Sequence, residues 1–324
     1  MTKTTEIRVP ANQIPVSRRA DASIAVVGNP NSGKSTLFNR LTGLRQRIGN
    51  YPGVTVERHI GTLKVGEKSL ELVDLPGTHA LSAHSLEEQI AVDVILGHME
   101  GTATPDGILA VVDATNLYQG LYLVQQLLEL ERPLVVALTM ADAAELEGLK
   151  IDISGLTGRL GGVPVCPVIA TSGQGVDKLR DALSRITEVQ PPEPGKTWPE
   201  LTAAARELAA HAPANTRIAE VERLLIDGPS EAKQEFLGRF DAGAPAALHE
   251  LRQQLFGNEP PLATEARVRY RWVREVLDEV VQQSPPFYGW QARITAWLNQ
   301  PIPGTIGLFL VMAIVFQAVF AWAT

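Results

Sequence analysis

Residues 23 to 42 read Ser23-Ile24-Ala25-Val26-Val27-Gly28-Asn29-Pro30-Asn31-Ser32-Gly33-Lys34-Ser35-Thr36-Leu37-Phe38-Asn39-Arg40-Leu41-Thr42, an apolar run, a Gly-x-x-x-x-Gly-Lys-Ser loop and a helix-like run. Strand, glycine-bounded loop and helix in that order make a phosphate loop. The two glycines let the backbone wrap an anion, so that successive N–H groups and a helix N-terminus face it. The candidate phosphate-binding residues are therefore Gly28, Asn29, Asn31, Ser32, Gly33, Lys34, Ser35 and Thr36. Lys34 would reach the β- and γ-phosphates and Ser35 would ligate Mg²⁺, which makes a nucleoside triphosphate the first expectation.

Outward from this loop the chain alternates strand and helix patterns as far as residue 189. Expected strands are Ser23–Val27, Val56–Val65, Ser69–Asp74, Gly107–Asp113, Leu134–Thr139 and Val163–Ala170. Expected helices are Lys34–Thr42, Leu86–Leu96, Leu121–Leu130, Asp152–Leu160 and Val176–Ile186. Such alternation predicts a doubly wound α/β sheet, here over 22–189 after a polar lead at 1–21. Residues 190–197, rich in proline, break both periods and read as a linker. Helical patterns at Thr202–Ala210, Ile218–Leu225, Ala246–Phe256 and Thr264–Val281 predict a small all-α domain over 198–290.

The phosphate loop alone does not choose between ATP and GTP, so the downstream motifs decide. Asp74-Leu75-Pro76-Gly77 closes a strand 40 residues beyond Lys34. There the carboxylate of Asp74 can hold the Mg²⁺ shell and the N–H of Gly77 can meet a γ-phosphate. Thr55, between the two motifs, is placed as a switch threonine that would ligate Mg²⁺ and sense the γ-phosphate, a role that depends wholly on its neighbours. After the next-to-last strand, Thr139-Met140-Ala141-Asp142 occupies the usual place of Asn-Lys-x-Asp. Asp142 could accept two hydrogen bonds from the N1 and N2 donors of guanine, which adenine does not offer. Thr139 is the departure: its hydroxyl is shorter than an amide, and contact with guanine N7 and with the phosphate loop is expected to be weakened or lost. Ala170-Thr171-Ser172 could supply backbone N–H groups to the base oxygen.

Composition sets limits on other functions. With 29 basic and 36 acidic residues the net charge is −7, which offers no field to attract a polyanion, so nucleic acid is a poor partner. A single cysteine, Cys166, excludes an intrachain disulfide and reads as core packing. The first 21 residues lack the apolar core of a secretory signal. By contrast, 302–323 carries no charged residue, and ~33 Å of helix is enough to cross a hydrocarbon core of ~30 Å. A transmembrane helix is expected there, with Trp297 and Trp322 near its two ends and Arg293 before it favouring a cytoplasmic N-terminal side.

Together the phosphate loop, the stretch Leu44-Arg45-Gln46-Arg47-Ile48-Gly49-Asn50-Tyr51-Pro52-Gly53-Val54-Thr55-Val56-Glu57, Asp74-Leu75-Pro76-Gly77-Thr78 and Val112-Asp113-Ala114-Thr115-Asn116-Leu117 resemble the GTPase domain of bacterial ferrous iron transport protein B. The resemblance spans 23 to about 186 and continues more weakly through Glu265-Ala266-Arg267-Val268-Arg269-Tyr270. It implies the GTP-binding and GTP-hydrolysing cytosolic part of a ferrous iron membrane transporter, regulating Fe²⁺ uptake, truncated after its first membrane helix and sited at the bacterial inner membrane with the GTPase domain in the cytoplasm. Implied partners are guanine nucleotide (GTP or GDP), the membrane, a second copy of the chain and small accessory proteins of the transporter.

The resemblance also bears on hydrolysis. Thr78 stands where Ras-type enzymes carry a water-orienting glutamine, and it cannot do the same work. In the family, K⁺ stimulates hydrolysis and the second asparagine of the phosphate loop is its ligand; Asn31 matches that position. The catalytic set implied is Asn31, Lys34, Thr55 and Gly77, with Ser35, Thr55 and Asp74 on Mg²⁺ and Asn31 on K⁺. Fe²⁺ is the transported ion, and no iron-ligand constellation is visible: His79 and His84, five residues apart on one loop, are insufficient. Arg267, Arg269, Arg271, Arg274, Glu275, Asp278 and Glu279 are expected on the solvated face of a helix, opposite Val268, Trp272, Val276 and Val280. Two other readings share these motifs, a soluble Era-like GTPase of ribosome assembly or tRNA modification and a tail-anchored regulatory GTPase. The first usually carries a basic RNA-binding module, which 190–300 does not offer.

Overall fold

The structure, a computed structural model, describes residues 20–43, 46–52, 54–81, 85–97, 99, 102–192, 197–214, 216–227, 231–283, 297 and 300–322. Its centre is a mostly parallel sheet in the order β2-β3-β4-β1-β5-β6-β8. The strands are β1 (Ala22–Gly28), β2 (Gln46–Asn50), β3 (Glu57–Val65), β4 (Lys68–Asp74), β5 (Gly107–Asp113), β6 (Leu134–Thr139) and β8 (Val165–Pro167). Only β2, β3 and β4 run antiparallel to their neighbours in sequence, with Ile48 opposite His59 and Ile60 opposite Val73. Strand β2 was not anticipated, because Gln-Arg-Ile-Gly-Asn buries almost nothing and so has no alternation to read.

Alternate residues of the parallel strands serve opposite faces. Ala25, Val27, Ile108, Ala110, Val112, Val136 and Leu138 join one core, and Ile24, Val26, Leu109, Val111, Val135 and Ala137 the other. The second core is covered by α1 (Lys34–Thr42) and α6 (Val176–Ser184), through Leu37, Phe38 and Leu41 and through Leu179 and Leu183. The first is covered by α2 (Leu86–Leu96), α3 (Leu117–Leu128) and α5 (Ile153–Arg159). Two helix starts have a local cause: Ser85 caps α2 by accepting from the Glu88 N–H at 3.2 Å, and Asp152 caps α5 by accepting from Ser154 and Gly155, each at 3.0 Å. A short helix α4 (Ala141–Leu146) and a strand β7 (Leu149–Ile151) follow β6.

Beyond the linker come α7 (Pro199–Ala209), α8 (Ile218–Ile226), α9 (Glu231–Leu237), α10 (Ala244–Phe256) and α11 (Pro261–Val280). Trp198, Leu201, Leu208, Val221, Leu225, Leu251 and Phe256 form their own core. Yet α11 belongs to both halves. Its Trp272, Val273, Val276 and Val280 enter the first core of the sheet domain, and the strand that follows it, β9 (Val281–Gln283), pairs antiparallel with β7. The ends of the expected lead and linker are likewise tied down. Asp21 donates its N–H to Ser69 O at 2.8 Å, and Thr197 is buried with its hydroxyl 2.6 Å from Glu129 Oε1. Residues 1–19 and 193–196 lie outside the described residues.

The expected solvated face of α11 needs one correction. Arg269 is 1% exposed, with Nη1 and Nη2 donating to the two oxygens of Glu129 at 3.0 and 2.7 Å and Nε donating to Glu265 Oε1 at 2.8 Å. Burial alone would make the guanidinium less basic, but Glu129 and Glu265 raise it well above its ordinary value and keep it charged. Arg223 Nη1 and Gln126 Nε2 also donate to Glu265 Oε1, at 2.9 and 3.5 Å. Position in the helical repeat does not reveal such a pair, because a charged residue at the edge of an apolar stripe is buried only when its partners arrive from another element.

The last helix, α12 (Pro301–Trp322), is 22 residues long. Its described side chains, those of 302–318, leave Ile306, Phe309 and Phe316 at 59, 70 and 60% exposure. Among the described residues no helix is long and apolar enough to cross a membrane.

Candidate functional site

The loop between β1 and α1 is held in shape by its backbone. Gly33 has φ +77°, and a Cβ on Gly28 would stand 2.6 Å from Val111 O, so neither position admits a side chain without a shift. Asn31 also takes a left-handed backbone, φ +65°, which asparagine tolerates better than most residues. No side chain caps α1, so its first N–H groups and the positive end of its dipole are left to the loop. Asn31, Ser35 and Thr36 are exposed around it, whereas Asn29 and Ser32 are buried at 7 and 2% exposure.

Asp74, the last residue of β4, meets the loop directly: Lys34 Nζ donates to its Oδ1 at 2.5 Å, with the two side chains 11 and 13% exposed. Two motifs 40 residues apart thus put a cation and a carboxylate in one spot. Gly77 packs on Pro30, since a Cβ there would lie 3.2 Å from Pro30 Cγ. Thr78 is 0% exposed, its N–H donating to Gly28 O at 3.2 Å and its hydroxyl to Ala80 O at 2.6 Å. The Thr78 hydroxyl is thus engaged within its own loop.

Thr139 closes the same site from the side of β6. Its Oγ1 stands 2.7 Å from Ser32 O and 3.0 Å from Val112 O, and its single proton serves one of them at a time. The expected loss of contact with the phosphate loop is thus corrected: the hydroxyl is short, but β6 brings it close enough to bond the loop backbone. Met140 follows with φ +55°. Its methyl group and the Cβ of Thr139 would each lie 3.7 Å from a Cβ on Gly33. Asn31 and Met140 are two of the three described non-glycine residues with positive φ. Backbone conformations of this kind concentrate where a site over-determines the chain.

Asp142 lies exposed in the first turn of α4, and Ala170, Thr171 and Ser172 form the turn after β8. Arg40 Nη2 of α1 donates to Ser172 O at 2.8 Å, which anchors this turn to the helix of the phosphate loop. Thr55 is exposed, and among the described residues no hydrogen bond ties it to Lys34 or Asp74. Its stretch is anchored instead by Tyr51, 1% exposed, whose N–H donates to Val56 O at 3.1 Å. Burial pushes the Tyr51 phenol up to about 12, against the charge of Arg58, whose guanidinium lies 5.8 Å from the ring centre. An anchoring aromatic of this kind was missed in the sequence, where Tyr51 sits in a polar, proline-containing stretch.

His79, set aside above as an iron ligand, accepts from the side-chain amide of Asn29 at 3.2 Å. His84 lies outside the described residues, among which no group of three His, Cys, Asp or Glu could hold a metal ion.

The family model described as ferrous iron transport protein B matches residues 22–183. The Fe(2+) transporter FeoB of Escherichia coli K12 is 38% identical over 265 residues, covering 80% of this chain and 33% of the relative. The chain therefore spans about a third of the length of that relative. Among solved structures, a GDP-bound mutant of S. thermophilus NFeoB is 30% identical with a TM-score of 0.66, covering 81% of this chain and all of that one. The GMPPNP form of the cytosolic domain of T. maritima FeoB is 27% identical with a TM-score of 0.64, at the same coverage. With a family model that matches half of its length and a matching P-loop GTPase fold, the chain belongs to the ferrous iron transport protein B family.

Proposed function

We propose that this chain binds guanine nucleotide and hydrolyses GTP, as the cytosolic part of a ferrous iron transporter in the bacterial inner membrane. The observation that carries this reading is the meeting of Lys34 with Asp74 at 2.5 Å, beside a loop whose backbone is bonded by Thr139 at 2.7 Å. Three separated motifs thereby meet at one loop, and in this reading the base contacts fall to Asp142, exposed in the first turn of α4, and to the turn at 170–172. The GDP and GMPPNP complexes of two relatives support guanine nucleotide as its occupant.

In this reading the backbone around Gly28, Asn29, Ser32 and Gly33 cradles the phosphates, and Lys34 neutralises the β- and γ-oxygens. Ser35 and Asp74, a hydroxyl and a carboxylate, fit the hard oxygen ligands that Mg²⁺ requires, with Thr55 joining them from its loop. Mg²⁺ there would supply charge neutralisation between the phosphates. The exposed amide of Asn31 would hold K⁺, taking up the charge that an arginine finger handles elsewhere. Gly77 offers its N–H to the γ-phosphate, and Asp142 accepts from guanine. In this reading the uncharged stretch 302–323, longer than the described side chains of α12, is the first membrane span, with the exposed Ile306 and Phe309 toward lipid. Through it the nucleotide cycle regulates Fe²⁺ passage, with a second copy and small accessory proteins as partners. Titration of the full chain in detergent with fluorescent GDP and ADP tests the core of this: GDP should bind far more tightly, and Lys34→Ala should remove most of that binding. Equal affinities would overturn it.

A further inference from the structure

Three consecutive residues of the Asp-x-x-Gly loop lie on three consecutive residues of the phosphate loop. Gly77 packs on Pro30, Thr78 donates its N–H to Gly28 O at 3.2 Å, and His79 meets Asn29. The last is a contact between side chains: Asn29 Nδ2 stands 3.2 Å from His79 Nδ1. An amide nitrogen only donates, so the ring nitrogen Nδ1 is the acceptor in this contact. Asn29 is 7% exposed and its Oδ1 is buried without a partner, so His79 supplies the hydrogen bond recorded for this buried amide. His79 itself is exposed and belongs to no hydrophobic core, so packing does not explain its orientation. The residue before it, Thr78, is turned inward, its hydroxyl donating to Ala80 O.

We propose that His79 is a positioning residue for the γ-phosphate contact: it pins the loop at 77–79 to the phosphate loop and so holds the Gly77 N–H in place. This rests on the guanine-nucleotide reading above. The Gly77 N–H has a partner in GTP and none in GDP, because only GTP carries the third phosphate. Loosening the loop therefore weakens the triphosphate complex and leaves the diphosphate complex alone, whereas general damage to the phosphate loop would weaken both.

The experiment compares the full chain in detergent with its His79→Ala and His79→Gln variants, measuring affinity for fluorescent GDP and fluorescent GMPPNP together with the kcat and KM of GTP turnover. For His79→Ala, GMPPNP affinity and kcat should fall roughly three- to tenfold, the range expected for one hydrogen bond, with GDP affinity within about twofold of the parent. His79→Gln should recover most of the loss, because its amide oxygen can accept from Asn29 Nδ2. Unchanged GMPPNP affinity and kcat in His79→Ala, an equal loss for both nucleotides, or a His79→Gln variant as weak as His79→Ala would each overturn the proposal. A parent chain that binds neither nucleotide would instead overturn the nucleotide reading itself.

Discussion

At the scale of single residues the site is governed by short polar contacts between loops that are distant in sequence. Thr139 is the clearest case, since one hydroxyl between Ser32 O and Val112 O bridges the phosphate loop to the sheet. Thr139→Ala would leave buried carbonyls short of a donor, and should cost ~1 to 2 kcal/mol in denaturant unfolding and weaken GDP binding severalfold. Thr139→Ser should be close to neutral. Asn31 makes a different prediction, because it is exposed and its left-handed backbone, not its side chain, shapes the loop. If its amide holds K⁺, hydrolysis should run faster in KCl than in NaCl at equal ionic strength. Asn31→Ala should flatten that difference with GDP binding largely intact. Equal rates in both salts for the parent protein would leave Asn31 a loop former only.

At the scale of elements, α11 joins the helical half to the sheet through a buried cluster of charges. Arg269 is paired with Glu129 of the turn after α3 and with Glu265 of its own helix, and Glu265 also receives Arg223 of α8. Glu222, on α8 beside this cluster, has among the described residues no cation paired with it, and the Thr202 hydroxyl donates to it at 2.5 Å. Burial first, then repulsion from Glu129, push its carboxyl up to about 7, against the Thr202 bond and the charge of Arg269. A folded value above the unfolded one favours folding at low pH, where the group is protonated in both states. That contribution is lost as pH rises from about 4.5 to about 7. Glu222→Gln should therefore stabilise the fold at pH 8, by ~1 to 3 kcal/mol, and have little effect near pH 4.5. Chemical denaturation of both proteins at the two pH values checks the sign, and a larger gain at the lower pH would refute it.

For the whole molecule, the question is what α12 does to the rest. The sheet domain and α7 to α11 share cores and a two-stranded pairing in which no described side chain of α12 takes part. Removing residues 302–324 should accordingly leave nucleotide affinity within about twofold of the full chain, since no site residue lies there. The full chain should sediment with membranes and resist alkaline carbonate extraction, and the shortened one should not. A full chain that stays in solution without detergent would exclude α12 as a membrane span.

Much of this was legible in the sequence because it is local. The phosphate loop depends on glycines at fixed spacing, the parallel strands on apolar runs such as Gly107–Asp113, and the helices on periodicity and caps such as Asp152. The meeting of Lys34, Asp74 and Thr139 at the phosphate loop could be anticipated because each sits at the end of such an element, where the topology of the sheet delivers it to one edge. Other features required the folded chain. Strand β2 has no buried face to betray it, and β7 and β9 pair across more than 120 residues of sequence. Arg269 looks like a surface residue until Glu129 is brought against it. Thr139 reads as a weakened asparagine until Ser32 O is found within reach of its hydroxyl. The reason is common to all of them: sequence pattern records what one element buries, whereas a hydrogen bond or ion pair depends on the distance between two elements, and only the packing of the sheet and helices sets that distance.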